Sequence, residues 1–177
     1  MERVCALLFV SFLLSPIAHA ADAHDCRNLL TLAEVSSAVG GAAELTNAGK
    51  RGDVGEGATQ QERLEVCSWA TRSFRAGVNL DVVPALDAAD VDKGLAVVQY
   101  PLDERRRQHW VETQLDFNGV HCSSLSPPAD QSNQEPQVTG CVGEVRGAAL
   151  YVDVSSRAER PTFDLVKRLF DEAAARL

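Results

Sequence analysis

Between Val111 and Phe117 apolar or β-branched residues (Val111, Thr113, Leu115, Phe117) interleave with Glu112, Gln114 and Asp116, and the chain then reaches Asn118-Gly119. Alternation at period two is the pattern of a strand with one buried face, and Asn-Gly tolerates the positive φ angles of a type I′ turn, so this stretch predicts a β-hairpin with Cys122 on its second strand. A second hairpin follows from "QVTGCVGEV" and "AALYVDVSS", joined at Arg146-Gly147. Earlier, "LEVCSWATRSF" (64–74) and "VNLDVV" (78–83) read as strands that meet around Arg75-Ala76-Gly77. Val78, Leu80 and Val82 alternate with polar residues, which predicts a wet opposite face.

Helical periodicity occurs in three places. Thr31 is a good N-cap, with Glu34 three residues later completing a capping box, Leu30 and Val35 placed as a hydrophobic staple, and Gly40-Gly41 as the stop. Residues 86–99, after the break at Pro84, have helical character. At the end of the chain Phe163, Val166, Phe170, Ala173 and Leu177 recur at helical spacing, predicting an amphipathic helix that covers one face of the sheet. Two polar stretches, 46–61 and the proline-rich "SPPADQSNQEP" at 126–136, read as surface loops. Hairpins instead of strand-helix-strand alternation give an α+β domain with a mainly antiparallel sheet of about six strands, a short capped N-terminal helix and a long C-terminal helix.

The first residues change the compartment. "MERVCALLFVSFLLSPIAHAAD" has an early arginine, a short apolar run, Pro16 and the triplet Ala18-His19-Ala20, the pattern of a secretory signal peptide over 1–20. The run is too short to cross a bilayer, and a single domain is expected over 21–177. The formal net charge of −8, with no basic stripe, argues against nucleic acid as a partner. The expected location is periplasmic or secreted.

Of five cysteines, Cys5 falls in the leader, leaving Cys26, Cys67, Cys122 and Cys141. An even count in an oxidising compartment predicts two disulfides. Three pairings are possible; the strand reading favours Cys26 with Cys67 and Cys122 with Cys141, each local to one half of the domain.

The candidate chemistry is sparse. No CxxC spacing supports redox work. His121 and Cys122 are neighbours on a strand and point to opposite faces, so they do not form a nucleophile and base. His24 and His109 lack a ligand partner at helical spacing, and no metal or cofactor is expected. The aspartates of "DAADVDKG" (87–94) fail as a calcium loop, since an EF-hand starting at Asp90 requires glycine and glutamate where Leu95 and Pro101 stand. "GKRGDVGEG" (49–57) lacks the Lys-Ser/Thr of a phosphate loop, and its Arg51-Gly52-Asp53 is read as chance. In "DERRRQHW" (103–110) three consecutive arginines fan apart by about 100° each if helical, so a solvated face is expected instead of one basic patch.

"CRNLLTLAEVSSAVGG" (26–41) and the later "CSWA" (67–70) resemble a widespread group of exported bacterial proteins of unknown function, whose mature start reads Cys-x-LLT-x-x-EV-x4-G and which carry a Cys-x-Trp strand further on. That resemblance implies an α+β sheet-and-helix domain with Cys26 and Cys67 as paired cysteines, and it supplies no catalytic residue. Many members resemble lipoproteins, whereas this chain lacks a lipidation cysteine. The functional expectation is a non-enzymatic binding module for an unknown protein or small ligand of the cell envelope, one form of it an inhibitor of an extracytoplasmic enzyme acting through the proline loop. The alternative is a cell-envelope hydrolase whose site is assembled from scattered Ser, His, Asp and Glu.

Overall fold

The computed structural model describes residues 25–50, 64–84, 88–108, 110–132 and 134–177. The expected leader with Cys5, His24, Arg51-Gly52-Asp53 and His109 lie outside these residues.

In chain order the elements are a 3-10 turn at Cys26–Asn28, α1 (Leu32–Ala38), β1 (Ala43–Lys50), β2 (Glu65–Thr71), β3 (Ala76–Pro84), α2 (Ala88–Arg107), β4 (Val111–Phe117), β5 (Val120–Ser126), β6 (Gln137–Val145), β7 (Ala148–Ser156) and α3 (Phe163–Arg176). The strands form one seven-stranded sheet in the order β1-β2-β3-β7-β6-β5-β4. Every neighbouring pair is antiparallel. Both anticipated hairpins are present, turning at Asn118-Gly119 (φ 47° and 87°) and Arg146-Gly147 (φ 50° and 81°). β3 and β7 meet although they are far apart in sequence, and α2 carries the chain from β3 to the opposite edge of the sheet.

One strand more is found than expected. The polar run beginning at Thr46 is not loop throughout: Ala43–Lys50 pairs with β2, with a bulge between Leu45 and Asn47. An edge strand with hydrogen bonds on one side only, and almost no buried face, carries no alternation for the eye to find.

Two cores flank the sheet. On one face Val78, Leu80, Val82, Leu150, Val152 and Val154 pack against α1, the 3-10 turn and α3, whose Val166, Leu169, Phe170 and Ala173 are buried as the helical spacing requires. Burying each large aliphatic or aromatic side chain is worth about 1.5–3 kcal/mol. Both disulfides lie on this face: Cys26 is joined to Cys67 and Cys122 to Cys141. Thr31 and Glu34 cap α1 reciprocally, Thr31 Oγ1 accepting from the Glu34 amide (3.3 Å) and Glu34 Oε2 from the Thr31 amide (2.7 Å). Arg176, at the end of α3, reaches back to the same carboxylate (2.8 Å) and to Leu29 O (2.9 Å).

The other face was expected to be wet. Instead α2 covers it, packing Val98 and Leu102 with Val83, Leu125, Val138, Val142, Ala149 and Tyr151. The helix runs eight residues past the expected end and through Pro101. A mid-helix proline forfeits one backbone bond; burial of Leu102 and the ion pairs of the last turn hold the continuation.

Candidate functional site

The last turn of α2, the start of β4 and strand β5 form a corner in which the three consecutive arginines part company. The fan predicted from helical geometry is present, but the solvated face is not: Arg105 turns inward, Arg106 sideways into an ion-pair network, and Arg107 outward to Glu104 (3.0 Å).

Inside the corner is a polar cluster between α2 and the sheet. Asp153 on β7 is 2% exposed. Its carboxylate accepts from Tyr151 Oη (2.8 Å) and from Asn79 Nδ2 on β3 (2.9 Å). Burial pushes the Asp153 carboxyl above the usual carboxylate range, with the Arg105 charge opposing that rise. Burial first, and then the Asp153 charge, drive the Tyr151 phenol well above its ordinary value. The Tyr151 ring lies so close over β6 that a Cβ at Gly140 would meet it at 2.8 Å. The Arg105 guanidinium carbon is 5.5 Å from the centre of the Trp110 ring. Among the described residues, Arg105 Nη1 and Trp110 Nε1 are buried donors without an acceptor. The alternation of polar residues at 79 and 81 was visible in the sequence; the network that lets such residues be buried was not, because its members come from β3, β7 and α2.

Outside the corner Gln99, Arg106, Gln114, Asp116, His121 and Ser123 line a polar cleft of about 290 Å³. Arg106 Nε and Nη2 grip Glu112 (2.8 and 2.6 Å), while Nη1 binds Asp103 (2.6 Å) and Nη2 also reaches Ser123 Oγ (3.1 Å). Arg106 holds the Glu112 carboxyl below its usual range. His121 Nδ1 lies 2.6 Å from Asp116 Oδ1 across the β4–β5 hairpin. Ser, His and Asp therefore share one face, as a scattered hydrolase site would require. The Ser123 hydroxyl, however, is 4% exposed in its residue and engaged by Arg106, which makes it part of the ion-pair network. Cys122 points to the opposite face, into its disulfide, as the strand argument expected.

The outer side of the corner is β4 itself, a sheet edge seven residues long with no bulge and no proline. Val111 is 65% and Leu115 43% exposed, on the same side as the exposed Thr113. Beside them a groove of about 360 Å³ runs between β4 and the start of α3, walled by Leu115, Pro161 and Phe163. In the sequence Val111 and Leu115 read as the buried face of their strand; the structure places them at the exposed edge.

Among the described residues, fold and corner together define an antiparallel α+β domain with helices on both faces of one sheet and a strand at one edge that no other strand pairs on its outer side. No family model matches the chain, and no curated protein matches it. Among solved structures, the solution structure of cyanobacterial PsbP (CyanoP) from Synechocystis sp. PCC 6803 matches over 71% of this chain and 78% of that chain, at 16% identity and a TM-score of 0.34.

Proposed function

We propose that the protein is a non-enzymatic binding module, working in the periplasm or outside the cell, that takes an extended protein segment along the free edge of β4. The observation that carries this reading is the unguarded edge. Exposed edges invite pairing, and proteins that avoid it blunt them with bulges, prolines, lysines or brevity. β4 has no bulge, no proline and no lysine, its charged residues being Glu112 and Asp116, and it sets Val111 and Leu115 in solvent beside its outward backbone groups. Strand addition uses such features together: backbone bonds supply affinity, and alternate side chains supply specificity. The proline loop leaves β5 at Ser126, opposite Val111, and so flanks one end of the same edge. Two disulfides suit an oxidising compartment and hold the frame behind the edge. Among the described residues no helix is long and apolar enough to cross a membrane.

The test places a photo-cross-linking amino acid at Thr113 in the exporting cell and compares it with the same protein carrying Gln114→Pro. Proline is tolerated on an edge strand where its nitrogen faces outward, and there it removes the donor that an added strand needs. A discrete adduct that disappears with Gln114→Pro supports the reading. No adduct, or one indifferent to the proline, overturns it.

A further inference from the structure

We propose that the segment β4 takes is β4 of a second copy, paired antiparallel about a two-fold axis at Thr113, so that two seven-stranded sheets become one. This rests on the reading of β4 as the contact edge and goes further by naming the occupant and the register.

The disulfide geometry shows which backbone groups are free. Cys122 and Cys141 face each other across β5 and β6 with Cα atoms 4.1 Å apart. That spacing belongs to a pair that does not exchange hydrogen bonds, for which about 4.5 Å is usual against about 5.5 Å for a bonded pair. The N–H and C=O of Cys122 therefore point the other way, to its partner Leu115 on β4. Alternation along β4 follows. Val111, Thr113, Leu115 and Phe117 spend their backbone groups on β5, and Glu112, Gln114 and Asp116 carry the outward ones.

A two-fold axis normal to the sheet keeps both faces in place, so odd residues meet odd and even meet even. An axis at Glu112 sets that carboxylate against its own copy. An axis at Gln114 sets Glu112 against Asp116, again like charges, which destabilise when directly opposite. An axis at Leu115 separates the charges but leaves Val111, the more exposed apolar residue, opposite the turn at Gly119. An axis at Thr113 places Glu112 opposite the Gln114 amide, lets these two residues exchange their outward backbone bonds in both directions, and sets Val111 against Leu115 twice. It alone among these registers both separates the carboxylates and covers the two exposed apolar residues. Arg106 already offsets the Glu112 charge beside the seam. The other sheet edge is unsuited to the same pairing, because the bulge between Leu45 and Asn47 breaks its register.

The experiment uses the exported, oxidised protein. Sedimentation is expected to give twice the single-chain mass, returning to one chain with Gln114→Pro. At the axis the two Thr113 Cα atoms would stand about 4.5 Å apart, inside the range that a disulfide spans. Thr113→Cys is therefore expected to yield a covalent dimer on a non-reducing gel, while Glu112→Cys and Gln114→Cys, which report the neighbouring axes, stay single chains. Cross-linking at 112 or 114 instead of 113 overturns the register. A single-chain mass with no cross-link overturns self-pairing. In that case a photo-adduct at 113 whose mass exceeds one chain by something other than a second copy keeps the edge reading alive, and the absence of both sinks the two together.

Discussion

The two edges of the sheet are built alike and finished differently. Each edge strand lies beside a strand that carries a disulfide cysteine: β1 beside β2 with Cys67, and β4 beside β5 with Cys122. At the β1 edge the bond reaches out of the sheet to Cys26 and ties down the 3-10 turn and the start of α1, so it fastens a cover. At the β4 edge the bond joins two adjacent strands, so it fastens the ladder itself. Neither strand has a buried face, and each exposes a leucine, Leu45 on β1 and Leu115 on β4; the difference is that β1 is bulged between Leu45 and Asn47, whereas β4 is regular, with Val111 and Leu115 in line. The difference teaches that the chain protects one edge against pairing and stiffens the other while leaving it open.

Removing the staples should separate these two roles by the largest effects. Cys26→Ser with Cys67→Ser opens a span of 41 residues, and Cys122→Ser with Cys141→Ser one of 19. On the loop-entropy model the losses are about 4 and about 3 kcal/mol. Urea unfolding of both double variants should show the first pair as the more costly. Dimer formation should show the reverse order, because only the second pair backs the strand that makes the seam. If the first pair weakened the dimer more than the second, the division between cover and ladder would be wrong.

How much of this was legible along the chain depended on whether a local signal existed. The hairpins could be read because Asn118-Gly119 and Arg146-Gly147 supply turn chemistry between alternating runs, and α3 because Phe163, Val166, Phe170 and Ala173 keep helical spacing. β1 could not, since Glu44, Thr46 and Asn47 alternate with nothing that is buried. Asn79 and Asp81 marked a polar face, but a polar residue in water and one in a buried network look the same in sequence; Asp153, Tyr151 and Arg105 decide between them from far along the chain. The free edge was the least legible feature. Val111 and Leu115 alternate as buried residues do, and only the crossing of α2 to the far side of the sheet leaves their strand outermost.

A pair of proline substitutions probes the two sides of β4 at a smaller scale. Thr113→Pro removes an inward donor opposite the buried Ser124 and should cost about 2–3 kcal/mol. Gln114→Pro removes an outward one and should cost under about 1 kcal/mol when unfolding is measured at a dilution where both variants are single chains. Equal losses would mean that the assignment of inward and outward groups is reversed or absent, and with it the axis at Thr113.

An ion pair between α1 and α3 supports the protected edge. Glu34, at the start of α1, binds Arg176 from α3, and that contact first, with the Thr31 bonds behind it, lowers its carboxyl from 4.5 to about 2. A carboxyl whose folded value is depressed contributes stability above its unfolded value and loses it as pH falls through the folded one. The contribution is thus full above about 4.5 and fades towards 2. The side chains of Glu34 and Arg176 are 25% and 33% exposed, so solvent screening reduces the gain to about 1–2 kcal/mol at neutral pH. Glu34→Gln should be less stable than the parent by that amount at pH 7, and the two unfolding curves should converge as the solution is acidified through that window. A gap that persists below it would mean that the loss comes from the cap and not from the charge. Since the pair closes the cover beside β1 and β2 and touches nothing on β4, the same variant should sediment as the parent does at neutral pH. A loss of the dimer in Glu34→Gln would show that the two edges are coupled through the core, and that the separation of a guarded edge from an open one is too simple.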